Sequence, residues 1–430
     1  MAVITTAAYA NGEISKIHSH CVCGENDCMS GHGETANWQA WNGDTSVGTA
    51  SGDTGTTKYL YLENDVTVTS TLNISNVTVY LCLNGNTLTI DNAGNPAVRV
   101  GKNQTFVLCD CKTGGKITGA KGSAQKDTAR FGAVNCQSGS NFVMYGGSIS
   151  DNTVEQANGG GIYLNSGGNS NPATNMNCSN ICNNTSGFDG GGIFAGPGTM
   201  LNLRDGSVNN NTCAAGGGGG IRAASDTQVM ISKGENPFYI KGNTADLGGG
   251  ISPSGDSFVV NGRCIIEENT ARKAGGGVYI DYISTWCIFN SATITKNSSP
   301  QGGGICLNKK NNFGNELEIS GGTTIIGNTS SDDGSPSNLY LMNGKKFQFR
   351  KGMTGTEKVG VSVSKTPTFT EPVDIEYVFN ETWHDPVGDR SNFIIPDNDD
   401  YKVIYKNKEH WLVLKPSLTL TADDISVLNL

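Results

Sequence analysis

The stretch IKGNTADLGGGI, residues 240–251, holds an apolar residue, an asparagine three places on, a polar run, three glycines and a second apolar residue. The pattern returns along the chain. Aligned on their glycines, the copies run from Ile149 through Asn152 to Gly159–Gly161 and Ile162, and from Ile181 through Asn184 to Gly190–Gly192 and Ile193. The third runs from Val208 through Asn211 to Gly216–Gly220 and Ile221, and the fourth is Ile240, Asn243, Gly248–Gly250 and Ile251. Ile266 and Asn269 precede Gly275–Gly277 and Val278; Ile294 and Asn297 precede Gly302–Gly304 and Ile305. A seventh copy, Ile325 to Asn328, lacks the glycines and runs on into SPSNLYLMN.

The residues that follow the glycines sit at 162, 193, 221, 251, 278 and 305, steps of 31, 28, 30, 27 and 27. Self-similarity at such a period without helical periodicity predicts a solenoid of β-strands, each copy forming one rung. GGGIYLN and GGGVYID alternate apolar and polar residues, so Ile162 and Val278 are expected to point inward. Glycine before a strand permits the positive φ of a tight corner. Asparagine tolerates such corners, and its amide both donates and accepts. Seven asparagines at one corner therefore predict a ladder. The variable lengths between asparagine and glycine place loops on one side of the coil.

Upstream, TKYLYLENDVTVTSTLNISNVTVYLCLNGNTLTI carries β-branched alternation and Asn-Gly turns, which predicts further rungs. Cys82, Cys109 and Cys136 lie 27 and 27 residues apart, which predicts a stack in the interior. These three, with Cys111, Cys178, Cys182, Cys213, Cys264, Cys287 and Cys306, read as small hydrophobes in reduced form. Ten to twelve rungs would span about 50–60 Å at the strand spacing, and the open ends call for caps.

The paired motifs I-x-x-N and G-G-G-I resemble the FxxN and GGAI repeats of the chlamydial polymorphic outer membrane proteins. Similar repeats occur in large bacterial surface proteins with right-handed parallel β-helices. The resemblance covers about residues 149–345; Ile or Val stands for the Phe and Gly for the Ala. It implies an all-β, right-handed parallel β-helix, displayed on a bacterial surface and adhesive. The right-handed crossover rule points to the same hand. Nothing in the chain resembles the C-terminal membrane barrel of the chlamydial proteins, so a segment of a larger surface protein is the nearer analogy.

The chain carries a formal net charge of -9 and 59 glycines among 430 residues, with 16% charged residues. Long cationic stripes are missing, which argues against nucleic acid as a partner. No run of 18 apolar residues suggests membrane insertion. Residues 1–10, MAVITTAAYA, read as the remnant of a secretory signal, with Ala8-Tyr9-Ala10 fitting a cleavage pattern. A secreted or surface-attached monomer that binds a host or microbial glycan or protein is therefore expected.

KIHSHCVCGENDCMSGHGETANWQAWNG stands apart from the repeats. It gathers His18, His20, Cys21, Cys23, Cys28 and His32 within 15 residues. Zinc takes four ligands from thiolate and imidazole, and Cys21, Cys23, Cys28 and His32 have spacings that can close such a site, with His18 or His20 able to replace one. The alternative is a Cys23–Cys28 disulfide. A closed four-ligand zinc site would be structural, stapling a small cap that lacks a core. Trp38 and Trp41 would pack on that cap rather than stack on sugars. The segment is also similar to HxHCVCG…H…WxxW segments near the start of other bacterial β-helix surface proteins.

The rival expectation is a glycan-active enzyme, a hydrolase or lyase, since parallel β-helices host many. A hydrolase needs two facing carboxylates. Asp189, Asp246 and Asp281 are scattered singly and read as solvated turns. Against the N-T-D, D-D, G-H-G, R-x-K series of polygalacturonase-like enzymes, only the isolated GHG at Gly31–Gly33 and NTAD at 243–246 are found. Asp332-Asp333 and the group Asp397, Asp399 and Asp400 lack a basic partner for lyase chemistry, and Trp383-His384-Asp385 reads as a cap turn. The chain thus divides into a signal remnant (1–10), a Cys/His-rich cap (11–55), a parallel β-helix (56–345), terminal rungs with a C-terminal cap containing Trp411 (346–416) and a trailing strand or linker (417–430).

Overall fold

A computed structural model describes residues 18–20, 36–49, 55–122, 131–165, 173–281, 286–308, 317–342, 344–368, 370–376 and 388–416. The chain is an all-β parallel solenoid. One turn shows how the sequence builds it. Ile193–Ala195 forms the strand after the glycines, and Met200–Asn209 follows on the next face. Positive φ at Asp205 and Gly206 bends that second strand, so its later half lies on a third face. Thr212–Cys213 then makes a short strand before the next glycines. In the following turn Ile193 pairs with Ile221, Met200 with Gln228, Ser207 with Tyr239 and Thr212 with Thr244, all parallel. Repetition of this register yields a 31-stranded sheet wrapped around the axis and an 8-stranded sheet of the short strands.

The alternation expected for the repeat is present. Ile240 and Ile251 are fully buried, as are Ile162, Ile193, Ile221, Val278 and Ile305. Complete burial of a side chain of this size stabilises the fold by about 1.5–3 kcal/mol. Identical positions stack from turn to turn; the Phe106 and Phe142 rings lie parallel 5.5 Å apart.

At the corner the asparagines form the expected ladder. The amide Nδ2 of Asn152 donates to Oδ1 of Asn184 at 2.9 Å, and the relay continues through Asn211, Asn243, Asn269, Asn297 and Asn328 at 2.8–3.0 Å. Each Oδ1 also accepts the backbone N–H of the preceding asparagine, as Asn243 does from Asn211. The second amide proton goes to a backbone carbonyl of the preceding turn, such as Asn243 to Val208 at 2.8 Å. The ladder outlasts the glycines. In the seventh copy Asn328 donates to Asn338, ten residues on, and Asn338 donates to the Asp397 carboxylate at 2.6 Å. Asp397 is thus the terminus of the ladder.

Two details differ from the sequence reading. Positive φ falls not on the ladder asparagine but on the residue before it: Asp151, Asn183, Asn210, Gly242, Glu268, Lys296 and Gly327. The ladder asparagine must keep its amide on the axis of the stack, so its neighbour takes the turn. The three glycines also have separate reasons. Gly248 has φ +61°, a Cβ on Gly249 would come within 2.4 Å of the Thr270 carbonyl oxygen, and one on Gly250 would press the Asn269 amide at 3.2 Å.

The cysteine stack is corrected. Cys82 and Cys109 are neighbours in register, but they face out of the solenoid in a cluster with Trp38 and Tyr61. Cys136 faces the interior beside Val100 on another face. The reason is turn length: Leu108 pairs with Met144, a step of 36 residues (144 − 108), so the spacing of 27 does not persist.

Both ends of the described solenoid are covered by antiparallel pairs, which blunts the exposed edge. His18–His20 pairs with Ala36–Ala40, which continues in parallel onto Thr56–Tyr61. Tyr401–Lys406 and Glu409–Leu414 form a hairpin turned by Asn407 and Lys408, both at positive φ.

Replacing Asn243 with Ala removes two accepted and two donated hydrogen bonds in the dry core. Orphaned partners cost about 1–3 kcal/mol each before relaxation, so a urea midpoint shift equivalent to about 3 kcal/mol is expected, against less than about 1 kcal/mol for Lys241→Ala at the surface. Equal effects from the two variants would sink the ladder as a stabilising element. Burial raises the Asp397 carboxyl above its ordinary 3.8. A raised folded-state value means that protonation favours the folded chain, so this contribution is full below the ordinary value and is lost as pH rises through the raised one. Unfolding of the wild type and of the non-titrating Asp397→Asn variant, compared between about pH 3 and 7, should show the wild type losing ground as pH rises; a pH-independent difference contradicts this.

Candidate metal centre and outward face

The N-terminal pair places two imidazoles over the outer side of the first turns. His18 and His20 alternate with Ser19 on a strand whose register sets His18 opposite Trp38 and His20 opposite Ala36. Residues two apart on a strand share a face, so both rings point the same way. The His18 ring stacks on Tyr61 with centroids 4.1 Å apart, and His20 lies on Trp38 at 4.4 Å. Trp38 donates its indole N–H to the His20 carbonyl at 3.1 Å. Trp38 is buried in the cluster under the cap, as the sequence implied, whereas Trp41 is buried in the solenoid interior with Leu60, Leu62 and Val66.

Beneath the rings lie Cys82, at the end of Val77–Cys82, and Cys111, two residues past its in-register partner Cys109. The ligand atoms of His18, His20, Cys82 and Cys111 all lie within 4.8 Å of one another. The two Nε2 atoms are 2.9 Å apart, the two Sγ atoms 3.4 Å, and Cys111 Sγ is 3.7 Å from His18 Nε2. A tetrahedral ion with Zn–N near 2.0 Å and Zn–S near 2.3 Å has ligand–ligand edges of about 3.3–3.8 Å. The four residues therefore fit a tetrahedral His2Cys2 set with small adjustments, and the group could hold a metal ion.

The electrostatics suit a metal. Burial, helped by His20, lowers His18 to about 4, so its ring is neutral with a lone pair free at physiological pH. The Cys109 thiol and burial raise Cys82, and the Cys82 thiol and burial raise Cys111. Both are thiols in the metal-free chain, and a bound cation supplies the charge that releases their protons.

Of the sequence-predicted ligands, His18 and His20 enter this group. Cys21, Cys23, Cys28 and His32 lie outside the described residues. Cys82 and Cys111 had been read as inert hydrophobes. The signal for Cys82 was the misfit of a cysteine on the outward side of a strand that buries Val79 and Leu81; Cys111, in the bend after Thr105–Cys109, carried no such signal.

The outward side of one face carries a second feature. Tyr59, Tyr80, Val107, Val143, Asn175, Asn202, Met230, Val259, Ile288, Glu318 and Gln348 stand side by side in register, one per turn. At the strand spacing this column runs about 50 Å. It begins under the histidine cap, where Trp38 packs on Tyr59. It closes where Gln348 donates to Glu318 at 2.9 Å. Val107 and Ile288 are buried, and the column is open from Val143 to Val259, where Met230 is 46% exposed and Asn202 donates to Asn175 at 2.9 Å. A cavity of about 370 Å³ lies there, lined by Val143, Tyr145, Asn175, Asn177, Asn202, Arg204, Ser232 and Lys233 among others.

The carboxylates considered for catalysis have structural partners. Asp246 pairs with Arg272 at 2.6 Å and Lys273 at 2.7 Å, and Asp189 accepts the Gly217 N–H at 2.7 Å. Asp281 is half-buried at the end of Val278–Ile280. In the C-terminal cap His410 meets Glu376 in the interior, but its Nε2 accepts the Arg390 backbone N–H at 2.9 Å. With Nδ1 on the carboxylate and Nε2 occupied, that ring has no nitrogen left for a substrate. Gly31–Gly33 and Trp383-His384-Asp385 lie outside the described residues.

No protein-family model, curated protein or solved structure matches the chain.

Titration with Co2+, a spectroscopic stand-in for tetrahedral sites, is expected to yield visible d–d and thiolate charge-transfer bands saturating at about one equivalent. Cys111→Ser and His20→Ala should abolish them, and Cys182→Ser, outside the group, should not. Bands that persist in both ligand variants would place the metal elsewhere.

Proposed function

We propose that the chain is a binding module, secreted and displayed on a bacterial surface, and that it holds an elongated glycan along the outward column. The observation that carries this reading is the column itself. A solenoid needs its inner positions apolar; it does not need Val143, Met230 and Val259 on the outer side of the same strands. Amides from Asn175 and Asn202, a tyrosine, and the cations of Arg204 and Lys233 beside them offer the mix of polar fixing groups and apolar surface that suits sugars. One binding position repeated per turn suits a polymer better than a compact ligand. The likeness of the repeats to those of chlamydial surface proteins and the signal-like residues 1–10 support display outside the cell.

The metal we assign is zinc, in a structural role. Four protein ligands leave no open coordination position, which is the pattern of a structural site. Its task is to fasten the strand His18–His20, which among the described residues is strand-paired to Ala36–Ala40, onto two turns of the solenoid.

A glycan array probed with the intact protein is expected to show binding to extended glycans without product release. Met230→Ala and Asn202→Ala should each weaken it by about tenfold, the effect of losing roughly 1.4 kcal/mol at an interface. Cleavage of any polysaccharide in a panel refutes the binding-module reading in favour of an enzyme; binding to protein ligands alone refutes the glycan. Metal analysis of chelator-free protein should find about one equivalent of zinc, and less than about a tenth would end that assignment.

A further inference from the structure

The same four residues can satisfy their chemistry in a second way. Cys82 and Cys111 Sγ atoms are 3.4 Å apart, in contact but unbonded. A disulfide needs about 2.05 Å, so a side-chain movement of a little over 1 Å would close it. The two residues lie on adjacent turns, and their thiols differ in access: Cys111 is half-buried and Cys82 is fully buried. Cys111 also donates its S–H to Asn84 Oδ1 at 3.5 Å, at the rim of the cluster.

We infer that Cys111 and Cys82 form a redox pair, so that the site has two exclusive states: a dithiol that holds the metal and a disulfide that cannot. This rests on the zinc reading above for its first state only. The oxidant is a low-molecular-weight disulfide. The Cys111 thiol gives up its proton as its sulfur attacks one sulfur of the small disulfide, the small S–S bond breaks, and one small thiolate leaves and takes up that proton. The Cys82 thiol likewise loses its proton as it attacks Cys111 Sγ, and the second small thiolate is expelled and takes up that proton. Two protein thiols lose two protons and two electrons, and the small disulfide becomes two thiols.

The geometry assigns the order. Cys111 is the attacking group because it is the one a solute can reach, and Cys82 resolves because it already touches Cys111. In the disulfide state the cluster keeps only His18 and His20, too few for a tetrahedral ion. A bound metal blocks the reaction in turn, since both thiolates are engaged. Oxidation therefore unfastens the N-terminal strand from the solenoid, and reduction with zinc fastens it again.

The test uses the full chain, freed of metal by chelation under reducing conditions, then treated with oxidised glutathione with or without zinc preloading. Peptide mapping of the metal-free sample should find a Cys82–Cys111 bridge, and its zinc uptake should fall at least tenfold; reductant should restore it. The preloaded sample should keep free thiols. Cys111→Ser should form no bridge, whereas Cys109→Ala should still form it. Free thiols after oxidation, a Cys82–Cys109 bridge in place of Cys82–Cys111, or undiminished zinc uptake by the oxidised chain would overturn the proposal. A reduced chain that binds no zinc but forms the bridge would sink the zinc reading and the exclusivity together, while leaving the thiol pair demonstrated.

Discussion

The structure depends on how a buried corner satisfies its polar groups. Each turn must bend between its third face and the short strand, and that bend brings backbone N–H and C=O groups into a dry interior where an unpaired group costs about 1–3 kcal/mol. An asparagine amide solves this with two donors and an acceptor of two lone pairs. The solution works only if the neighbouring turn carries the same residue at the same height, because each Oδ1 takes both protons offered by the turn before it. The period of the sequence follows from that demand. So does the third glycine of each triplet, which leaves room for the amide stack.

The ladder has a direction, and the direction explains its end. Every amide donates toward the C-terminal turn, so the final member presents donors with no asparagine to receive them. An acceptor-only group is required, and the Asp397 carboxylate supplies it, taking the Asn338 amide and backbone N–H together with the Ser362 hydroxyl. The separation of 59 positions between Asn338 and Asp397 (397 − 338) shows why this was not legible in the sequence. Asp397 stands in a run of acidic residues that resembles a surface turn, and only the third dimension separates it from Asp399 and Asp400.

What repeats was readable, and what occurs once was not. Ile240, Asn243 and Ile251 could be assigned from the period because six other copies vote on the first two positions and five on the third. The loss of glycines in the seventh copy hid Asn338, whose role depends on a contact of ten residues rather than one turn. Cys82 and Cys111 failed for a different reason. Their partners His18 and His20 come from a segment with no repeat, and Cys111 is 93 residues from His18. Local spacing points to the dense run of Cys21, Cys23, Cys28 and His32, which lies outside the described residues, and it gives no hint of partners several turns away. A metal weighs neighbours in space, and a solenoid whose turns stack in register brings distant residues together wherever a chain end folds back over its face.

The two ends therefore differ in kind. The C-terminal end finishes the ladder with a charge buried once and held by three hydrogen bonds, a continuation of the logic of the core. The N-terminal end cannot do this, since the ladder begins only at Asn152, with its Oδ1 accepting the Ala120 N–H. Turns before that point have no such ladder; beside strand pairing and apolar stacking they use single side-chain bonds, such as Asp110 accepting the Gly85 and Gly115 N–H groups and Asn84 donating to the Leu62 carbonyl. Their outer face carries Tyr59, Tyr61 and Tyr80, aromatic surface that would be wet without a cover. The strand His18–His20 provides the cover, but three residues paired to one short strand are a weak attachment. Four candidate ligands from that strand and from two separate turns meet there, so a bound metal would turn the cover into a cross-link at the place where the repetition stops.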